Sequence, residues 1–397
     1  MQFSDIVAPL AFSTFMSEYW EKKHLYIPGN STNKFRQILN VDEIDKFLSR
    51  SDIRHPSLRI VQNGNEHDLG SYTKEFELGA HRSHDQIDNE KMFALYSAGA
   101  TIVLQHLQHN IPGLGIFTNS LEEKFGCNVH ASSFITPPAA QGFTSHYDTY
   151  SFFALQISGL KKWSIYPKTP LSPVREDRLT DKSWVPCDPI AVVTLKAGDF
   201  LYVPRGWFHS AESATETSIH LTFGFFLPTL LDIFQAAIKD MYKFEESRKT
   251  PSPIESNGRL TLDKQELSAF KDFLIRNIDL NAGYESLQQK FSMRRIDNRN
   301  GRLADLIRLK EIDLGSVIAV RSDLPSKYRV VKSGEKIILH FSDKEIIFPA
   351  VVLETIELIE SSGGITIGSI NDRIDSESRL ILSKKLIEEG FLRIVSV

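Results

Sequence analysis

The sequence predicts an α+β protein in which a β-barrel or sandwich is flanked by helices. Three observations support this fold class. Residues from about 127 to 227 form short apolar strands separated by Pro and Gly, the rhythm of a barrel or sandwich. Residues from about 306 to 397 mix strands with helices. Between these two stretches, apolar residues recur at the spacing of one helix face: Leu230, Ile233, Phe234, Ala237, Ile238 and Met241.

The chain is long enough for more than one domain. Its 397 residues exceed the size at which a single hydrophobic core stops growing. The changes of pattern predict three parts, residues 1–227, 228–305 and 306–397. The first holds the barrel, the second is a helical segment without a strand pattern, and the third has the strand and helix order of a winged helix.

Composition excludes several classes of protein. Two cysteines are too few for a disulfide-stapled scaffold and favour a reducing compartment. No stretch approaches the roughly 18 apolar residues that span a bilayer. The formal net charge of −4 argues against nucleic acid as the main partner. We therefore expect a cytoplasmic protein that binds neither membranes nor nucleic acids.

The charge of the last segment bears on its predicted winged helix, a fold that often binds DNA. Residues 301–397 carry 14 Lys and Arg against 15 Asp and Glu. Because a recognition helix normally lies on a basic face, this balance favours a structural or protein-docking role.

Helices and a strand are also predicted before the barrel. Aromatic residues at helical spacing predict a helix over 12–20, and residues 24–29 read as a strand ended by Pro-Gly. A second helix is predicted from Asn89 to His106, and Gly126 is predicted to cap the helix before it.

The most informative segment for chemistry is Gly142-Phe143-Thr144-Ser145-His146-Tyr147-Asp148. Side chains at i and i+2 of a strand share a face, so His146 and Asp148 can converge on one metal ion. Taken alone, the triplet is also compatible with a surface histidine beside a turn aspartate.

A second segment supplies the context. Residues 198–209 read as a Gly-Asp turn, an apolar strand, a Pro-x-Gly turn and then His209. The intervening strands of a jelly roll can bring His209 to His146 and Asp148. Two imidazoles and one carboxylate form the facial triad of non-haem Fe(II) oxygenases, with zinc as the competing metal.

Lys161 is the predicted partner of a co-substrate. Period-two alternation places it on one face with Trp163 and Ile165, and the apolar face of a strand is normally buried. A buried lysine needs an anionic partner, and the distal carboxylate of 2-oxoglutarate, which such ferrous oxygenases usually require, would supply one. The alternative is a lysine pair that flanks a solvated turn.

A further strand, Ser218 to Phe223, separates into a polar and an apolar face. Ser218, His220 and Thr222 share the polar face. Thr222 or His220 could therefore hydrogen-bond the co-substrate, although His220 could equally be a core histidine.

Several motifs occur together in one order: His146-x-Asp148, Gln156-x-x-Gly159-x-Lys161-x-Trp163, the segment 198–209 and Ser218-x-His220-x-Thr222. Together with the segments 19–25 and 135–142, they resemble the JmjC-type cupin oxygenases, specifically the ribosomal-oxygenase-like group. The resemblance covers the whole chain, since that group carries a helical dimerisation segment and a winged helix after a double-stranded β-helix barrel.

The resemblance implies an Fe(II)- and 2-oxoglutarate-dependent dioxygenase that uses O₂ to hydroxylate a side chain of a protein or peptide, and that forms a homodimer. His146, Asp148 and His209 would be the iron ligands, and Lys161 would bind 2-oxoglutarate. The substrate would be a ribosomal protein or a precursor peptide. A non-catalytic cupin-fold binding module and a zinc or manganese cupin enzyme that does not use 2-oxoglutarate remain open.

One departure from that group concerns the strand before the first ligand. The group often has Asn and Tyr where this chain has Ser132 and Phe134. The resemblance therefore implies that one phenolic hydrogen bond to 2-oxoglutarate is missing here.

Overall fold

The computed structural model divides into two compact units, Met1–Phe226 and Leu227–Val397. We describe each unit by itself. The structure describes residues 2–79, 81–169, 172–174, 177, 188–256, 258–293, 301–324, 328–342, 344–371 and 373–397. Among these residues, no helix is long and apolar enough to cross a membrane.

The helices of the first unit lie within residues 3–125, and those of the second unit occur throughout it. They are α1 Phe3–Val7, α2 Phe12–Thr14, which continues as a π-helix over Phe15–Tyr19, α3 Val41–Leu48, α4 Asn89–Ser97, α5 Pro112–Phe125, α6 Leu230–Lys239, α7 Lys264–Asn277, α8 Leu280–Met293, α9 Arg302–Arg308, α10 Val352–Ser362 and α11 Ser376–Glu388.

Most strands are short. In the first unit they are β1 Leu25–Ile27, β2 Leu58–Gln62, β3 Asn65–Glu66, β4 Thr73–Leu78, β5 His81–Ile87, β6 Thr101–Leu104, β7 Asn128–Thr136, β8 Ser151–Ser158, β9 Lys161–Lys168, β10 Ala191–Leu195, β11 Phe200–Val203, β12 Trp207–Ser213 and β13 Ser218–Phe226. In the second unit they are β14 Pro253–Ser256, β15 Arg259–Leu262, β16 Val317–Val320, β17 Arg329–Ser333, β18 Lys336–Phe341, β19 Lys344–Pro349, β20 Ile365–Thr366 and β21 Leu392–Ser396.

Two sheets of the first unit form the predicted barrel. The larger has the order β1-β11-β8-β13-β7-β6-β2-β3, and the smaller has the order β10-β9-β12. Strands β8 and β9 follow each other in sequence but belong to different sheets, so the chain crosses between sheets at the turn that contains Gly159. This residue has φ +68°, and a Cβ there would meet the Thr217 carbonyl oxygen at 2.0 Å, so the turn requires glycine.

The core of the first unit is unusually aromatic and centres on Phe153 of β8, whose side chain is fully buried. Successive strand residues alternate between the two faces of a sheet, so Phe152 faces the barrel cavity and Phe153 lies on the opposite face, against the N-terminal helices. Its ring lies within 4.4–6.3 Å of the ring centroids of Phe3, Phe15, Trp20, Phe125, Phe200, Tyr202 and Phe225. The N-terminal helices therefore pack on the larger sheet through this cluster.

The second unit begins with helices and ends with a mixed segment. Strands β16, β20 and β21 form one small sheet and β17, β18 and β19 another. Helices α10 and α11 pack on an aliphatic core that includes Ile356, Leu386 and Phe391. Arg321 is buried there and pairs with Asp305 at 2.6 Å and Asp323 at 3.0 Å, so its charge is compensated.

Two predictions about secondary structure are wrong. The helix predicted over Asn89–His106 ends at Ser97, because Gly99 adopts φ +101° and residues 101–104 form β6. The segment predicted to lack strands contains the β14–β15 hairpin. The predicted strand before Pro28 is confirmed as β1, the predicted helix over 12–20 as α2 with its π-helical continuation, and Gly126 caps α5 with φ +63°.

The aromatic cluster yields a stability prediction. The substitution Phe153→Ala removes a fully buried ring and should lower the free energy of unfolding by about 3–5 kcal/mol. All tryptophans lie in the first unit, so tryptophan fluorescence during urea unfolding reports on that unit. Phe93→Ala is the control, because Phe93 is 43% exposed and should change stability by less than about 1 kcal/mol. Equal effects of the two substitutions would contradict the packing assigned to Phe153.

Candidate metal centre

The structure brings His146, Asp148 and His209 together, and their possible ligand atoms lie within 4.8 Å of one another. His146 Nε2 is 4.0 Å from Asp148 Oδ1, and His209 Nε2 is 3.7 Å from Asp148 Oδ2. Among the described residues, this is the group of His, Cys, Asp or Glu side chains with a metal-binding arrangement.

Backbone hydrogen bonds hold the three residues in place. His146 and His209 form an isolated antiparallel bridge, in which His146 N donates to His209 O at 3.1 Å and His209 N donates to His146 O at 2.8 Å. Gly206 N donates to Asp148 O at 2.9 Å. The segment that carries His146 and Asp148 otherwise has no regular strand, so these bonds to the β12 region fix it.

Each imidazole ring is oriented by a hydrogen bond between its Nδ1 atom and a backbone carbonyl group. His146 Nδ1 lies 2.7 Å from the Thr144 carbonyl oxygen, and His209 Nδ1 lies 3.0 Å from the Trp207 carbonyl oxygen. A carbonyl only accepts hydrogen bonds, so both Nδ1 atoms carry a proton, which leaves the two Nε2 atoms that face Asp148 as the candidate metal-ligating atoms. Two imidazoles and a carboxylate with no thiolate fit iron, manganese or catalytic zinc.

The electrostatics of the group favour a neutral His209 imidazole. Burial, reinforced by His146, lowers the pKa of His209 to about 3. Burial raises the pKa of Asp148, although His146 and a hydrogen bond from the Tyr150 hydroxyl oppose this shift. A cation bound between these side chains would favour the ionised carboxylate and compensate its desolvation.

The three side chains open into a cavity of about 390 Å³ within the barrel. All residues predicted to bind metal or co-substrate line this cavity: His146, Asp148, His209, Lys161, Thr222, His220, Ser132 and Phe134. The cavity is large enough for a small dicarboxylate beside the metal centre.

Lys161 is buried at one end of the cavity, as the alternation along β9 predicted. Its side chain is 3% exposed, and its Nζ donates to Thr136 Oγ1 at 2.8 Å. Burial lowers the pKa of Lys161 to about 7. Lys162 points out of the barrel, where it pairs with Glu212 at 2.9 Å, so the alternative of a lysine pair at a solvated turn is wrong for Lys161.

The polar face of β13 reaches the same cavity. The His220 ring stacks on Phe134 with centroids 4.8 Å apart and an interplanar angle of 3°. Burial and nearby Lys161 lower the pKa of His220 well below its usual range, so this imidazole is neutral. Ser218 shares the face but bonds to Gln156 Nε2 at 2.9 Å.

Some cavity residues were missed by the sequence reasoning. Thr136 lies on β7 and holds Lys161, and Tyr150 follows Asp148 by two residues and donates to it. Arg59, His106 and His130 line the outer part of the cavity. Tyr150 could have been found by extending the i, i+2 pattern of His146 and Asp148, whereas the other residues come from distant strands without a local signal.

Part of the first unit, with the first residues of the second, matches a known family model. Residues 106–233 match the family model of the JmjC domain. The protein "Bifunctional lysine-specific demethylase and histidyl-hydroxylase NO66" of Aedes aegypti is 31% identical over 226 residues, which cover 56% of this chain and 34% of that protein. "Ribosomal oxygenase 1" of Danio rerio is 28% identical over 231 residues, which cover 55% of this chain and 39% of that protein. The chain thus spans about a third of the length of these relatives.

Solved structures extend the likeness to the whole fold. The ribosomal oxygenase YcfD of Escherichia coli, in complex with cobalt and 2-oxoglutarate, superposes with a TM-score of 0.56 at 16% identity and covers 98% of this chain and 99% of that one. At this identity the likeness shows the fold alone. It confirms the mixed helical and sheet architecture built on a JmjC cupin barrel.

Proposed function

Because residues 106–233 carry a JmjC domain around a His-Asp-His centre, we propose that this protein is an Fe(II)- and 2-oxoglutarate-dependent oxygenase. We propose further that it hydroxylates a side chain of a protein or peptide. The observation that carries the proposal is the pair of imidazoles whose Nε2 atoms face the Asp148 carboxylate. The matched relatives are named as ribosomal oxygenases and a histidyl-hydroxylase, and this supports the reaction class.

In this proposal His146, Asp148 and His209 hold the iron. When bound, iron supplies the redox chemistry that couples oxidative decarboxylation of 2-oxoglutarate by O₂ to oxygen insertion into a C–H bond. The Thr144 and Trp207 carbonyl groups each lie within hydrogen-bonding distance of an Nδ1 atom and so fix the orientation of both imidazoles. The Tyr150 hydroxyl orients the Asp148 carboxylate.

The inner end of the cavity would hold 2-oxoglutarate. Lys161 would bind its distal carboxylate, oriented by Thr136. Thr222 and His220 line the same space and would supply additional hydrogen bonds. Phe134 supplies a ring face in place of a phenol, and with Phe152 and Trp163 it excludes water from this end.

The buried lysine favours this function over its rivals. A zinc or manganese cupin enzyme that does not use 2-oxoglutarate would share the metal centre but would leave Lys161 desolvated without an anion. A non-catalytic binding module would have no need for both the oriented imidazoles and the lysine. Measurements of metal binding, 2-oxoglutarate binding and turnover therefore distinguish the proposed function from these two alternatives.

The first test is turnover of the co-substrate. Protein supplied with Fe(II), ascorbate and O₂ should convert 2-oxoglutarate to succinate, and His146→Ala should reduce the rate at least about 100-fold because one metal ligand is lost. His84→Ala is the matched control, since His84 is 76% exposed and should keep the wild-type rate. Equal succinate formation by His146→Ala and wild type would show that the site is assigned wrongly. Binding of metal without 2-oxoglutarate would favour the zinc or manganese alternative.

The second test is the pH dependence of 2-oxoglutarate binding. Free Lys161 has a pKa of about 7, and a bound carboxylate would raise it, so binding takes up a proton above pH 7. The affinity for 2-oxoglutarate should be highest and constant below about pH 7. Above this pH it should weaken by up to tenfold per pH unit. Calorimetric titrations of Mn(II)-loaded protein at several pH values measure this.

Two variants test whether Lys161 causes this pH dependence. Lys161→Met should bind 2-oxoglutarate much more weakly and lose the lysine-dependent part of the pH profile, whereas Lys162→Met, with its exposed side chain, should behave like wild type. An unchanged affinity and profile in Lys161→Met would remove Lys161 from the co-substrate site.

We also propose that residues 228–305 form a dimerisation segment and residues 306–397 a winged helix that docks protein rather than nucleic acid. Two residues of the predicted apolar stripe on α6 are exposed, Leu230 by 86% and Phe234 by 41%, and the neighbouring Leu231 is exposed by 62%. Exposed apolar side chains this close together are typical of a protein interface, and a second copy of the chain is the proposed partner. The low cysteine content supports a cytoplasmic location.

The dimer proposal predicts a change in mass. Wild type should elute in size-exclusion chromatography with light scattering at twice 45.0 kDa, and the double variant Leu230→Glu, Phe234→Glu at the mass of one chain. Ile116→Glu on α5 is the control, because Ile116 is 49% exposed and lies in the first unit. A wild-type protein that remains monomeric at micromolar concentration would contradict the proposal.

A further inference from the structure

Glu21, Ser151 and Arg205 form a small polar cluster outside the cavity. The cluster joins the N-terminal arm, residues 2–24 before β1, to both segments that carry the proposed metal ligands. Glu21 Oε2 accepts a hydrogen bond from Arg205 Nε at 2.6 Å, and the Ser151 hydroxyl donates to Glu21 Oε1. Ser151 Oγ in turn accepts from Arg205 N at 3.0 Å. Each of the three residues therefore contacts the other two.

Arg205 lies in the turn between β11 and β12. The next residue, Gly206, donates its N–H to the Asp148 carbonyl oxygen at 2.9 Å and has φ +78°. A Cβ at this position would meet Pro173 at 2.7 Å, so the turn requires glycine. His209 follows after three residues, so this turn is connected directly to two of the three proposed metal ligands.

Ser151 provides the connection on the other side. It is fully buried at the start of β8, three residues after Asp148. Two contacts therefore hold the Asp148 segment. Gly206 donates a hydrogen bond to the carbonyl oxygen of Asp148, and the Glu21–Arg205 pair binds Ser151. Between these two anchors, Asp148 and Tyr150 belong to no regular strand.

The Glu21–Arg205 ion pair is partly buried, so the interaction between its charges is stronger than in a fully exposed pair. The Arg205 side chain is 19% exposed and the Glu21 side chain 25% exposed. Glu21 also adopts φ +58°, which is unfavourable for a residue other than glycine, and its N–H donates to the Tyr202 hydroxyl at 2.8 Å. Backbone strain at a residue with specific polar contacts is more common at functional sites than elsewhere.

We propose that Glu21 and Arg205 are positioning residues for the metal centre, since they hold the Asp148 segment and the turn before His209 at a fixed separation. The inference rests on the proposed metal site and adds residues that do not contact the metal. Its consequence is that the N-terminal arm, although far in sequence from the ligands, contributes to metal affinity.

The test measures metal binding directly. Co(II) titrations followed by visible absorption or calorimetry should give a Kd about tenfold higher for Arg205→Met than for wild type. This is the lower end of the range for loss of a direct partner of a metal ligand, because Arg205 acts through Ser151 and the Gly206 turn. Glu21→Gln keeps the shape but removes the charge and should raise the Kd less, and Arg205→Lys should fall between Arg205→Met and wild type. Lys162→Met breaks the exposed pair with Glu212 and should leave the Kd unchanged.

A second readout separates positioning from loss of structure. In the succinate assay, Arg205→Met and Glu21→Gln should need more Fe(II) for half-maximal rate, while kcat at saturating Fe(II) and the KM for 2-oxoglutarate stay near wild type. If Arg205→Met fails to fold, Glu21→Gln decides the question by the same measurements.

Each outcome bears on a different claim. Wild-type protein that binds no Co(II) would overturn the proposed metal centre and this inference with it. Wild type that binds Co(II), together with folded Glu21→Gln and Arg205→Met variants of wild-type affinity, would overturn the positioning role alone. A raised KM for 2-oxoglutarate at unchanged metal affinity would also overturn it.

Discussion

The pair of backbone hydrogen bonds between His146 and His209 is the constraint on which the site depends. These bonds join a segment without regular structure to β12, so the sheet geometry fixes the distance between two imidazoles that are far apart in sequence. The barrel makes this possible because β8 and β9 change sheets at Gly159, which places β9 and β12 opposite the strands that follow Asp148. The carbonyl groups of Thr144 and Trp207 then fix the orientation of both imidazoles, so the same backbone determines the position and the orientation of the rings.

The sequence predicted the parts of this arrangement that have a local period. Lys161 and Lys162 separate into a buried and an exposed side chain because β9 alternates strictly. His146 and Asp148 come together without a regular strand, because backbone hydrogen bonds hold them to His209 and Gly206. The helix predicted through Ile102 and Val103 was wrong because β6 is central in its sheet and buried throughout, and a continuous apolar run has no period that distinguishes strand from helix.

Other features were missed for a different reason. The β14–β15 hairpin had a usable signal, Asn257-Gly258 between apolar residues, which is typical of a tight hairpin turn. No such signal exists for the Glu21–Arg205 pair or for Thr136 beside Lys161, because these contacts join residues that only the tertiary fold brings together. Sequence motifs therefore located the proposed ligands, whereas the residues that orient them required the structure.

The side chain of Phe134 limits how the cavity can recognise an anion. Phe134 stacks on His220 and offers no hydrogen bond, so Lys161 is the strongest donor at this end of the described cavity. The burial that lowers its pKa to about 7 also strengthens its attraction to a carboxylate, because both effects follow from the low local dielectric. In the proposed function, recognition of 2-oxoglutarate would then depend mainly on one charge instead of on a network of hydroxyl groups, so the protonation state of Lys161 would control co-substrate affinity near neutral pH.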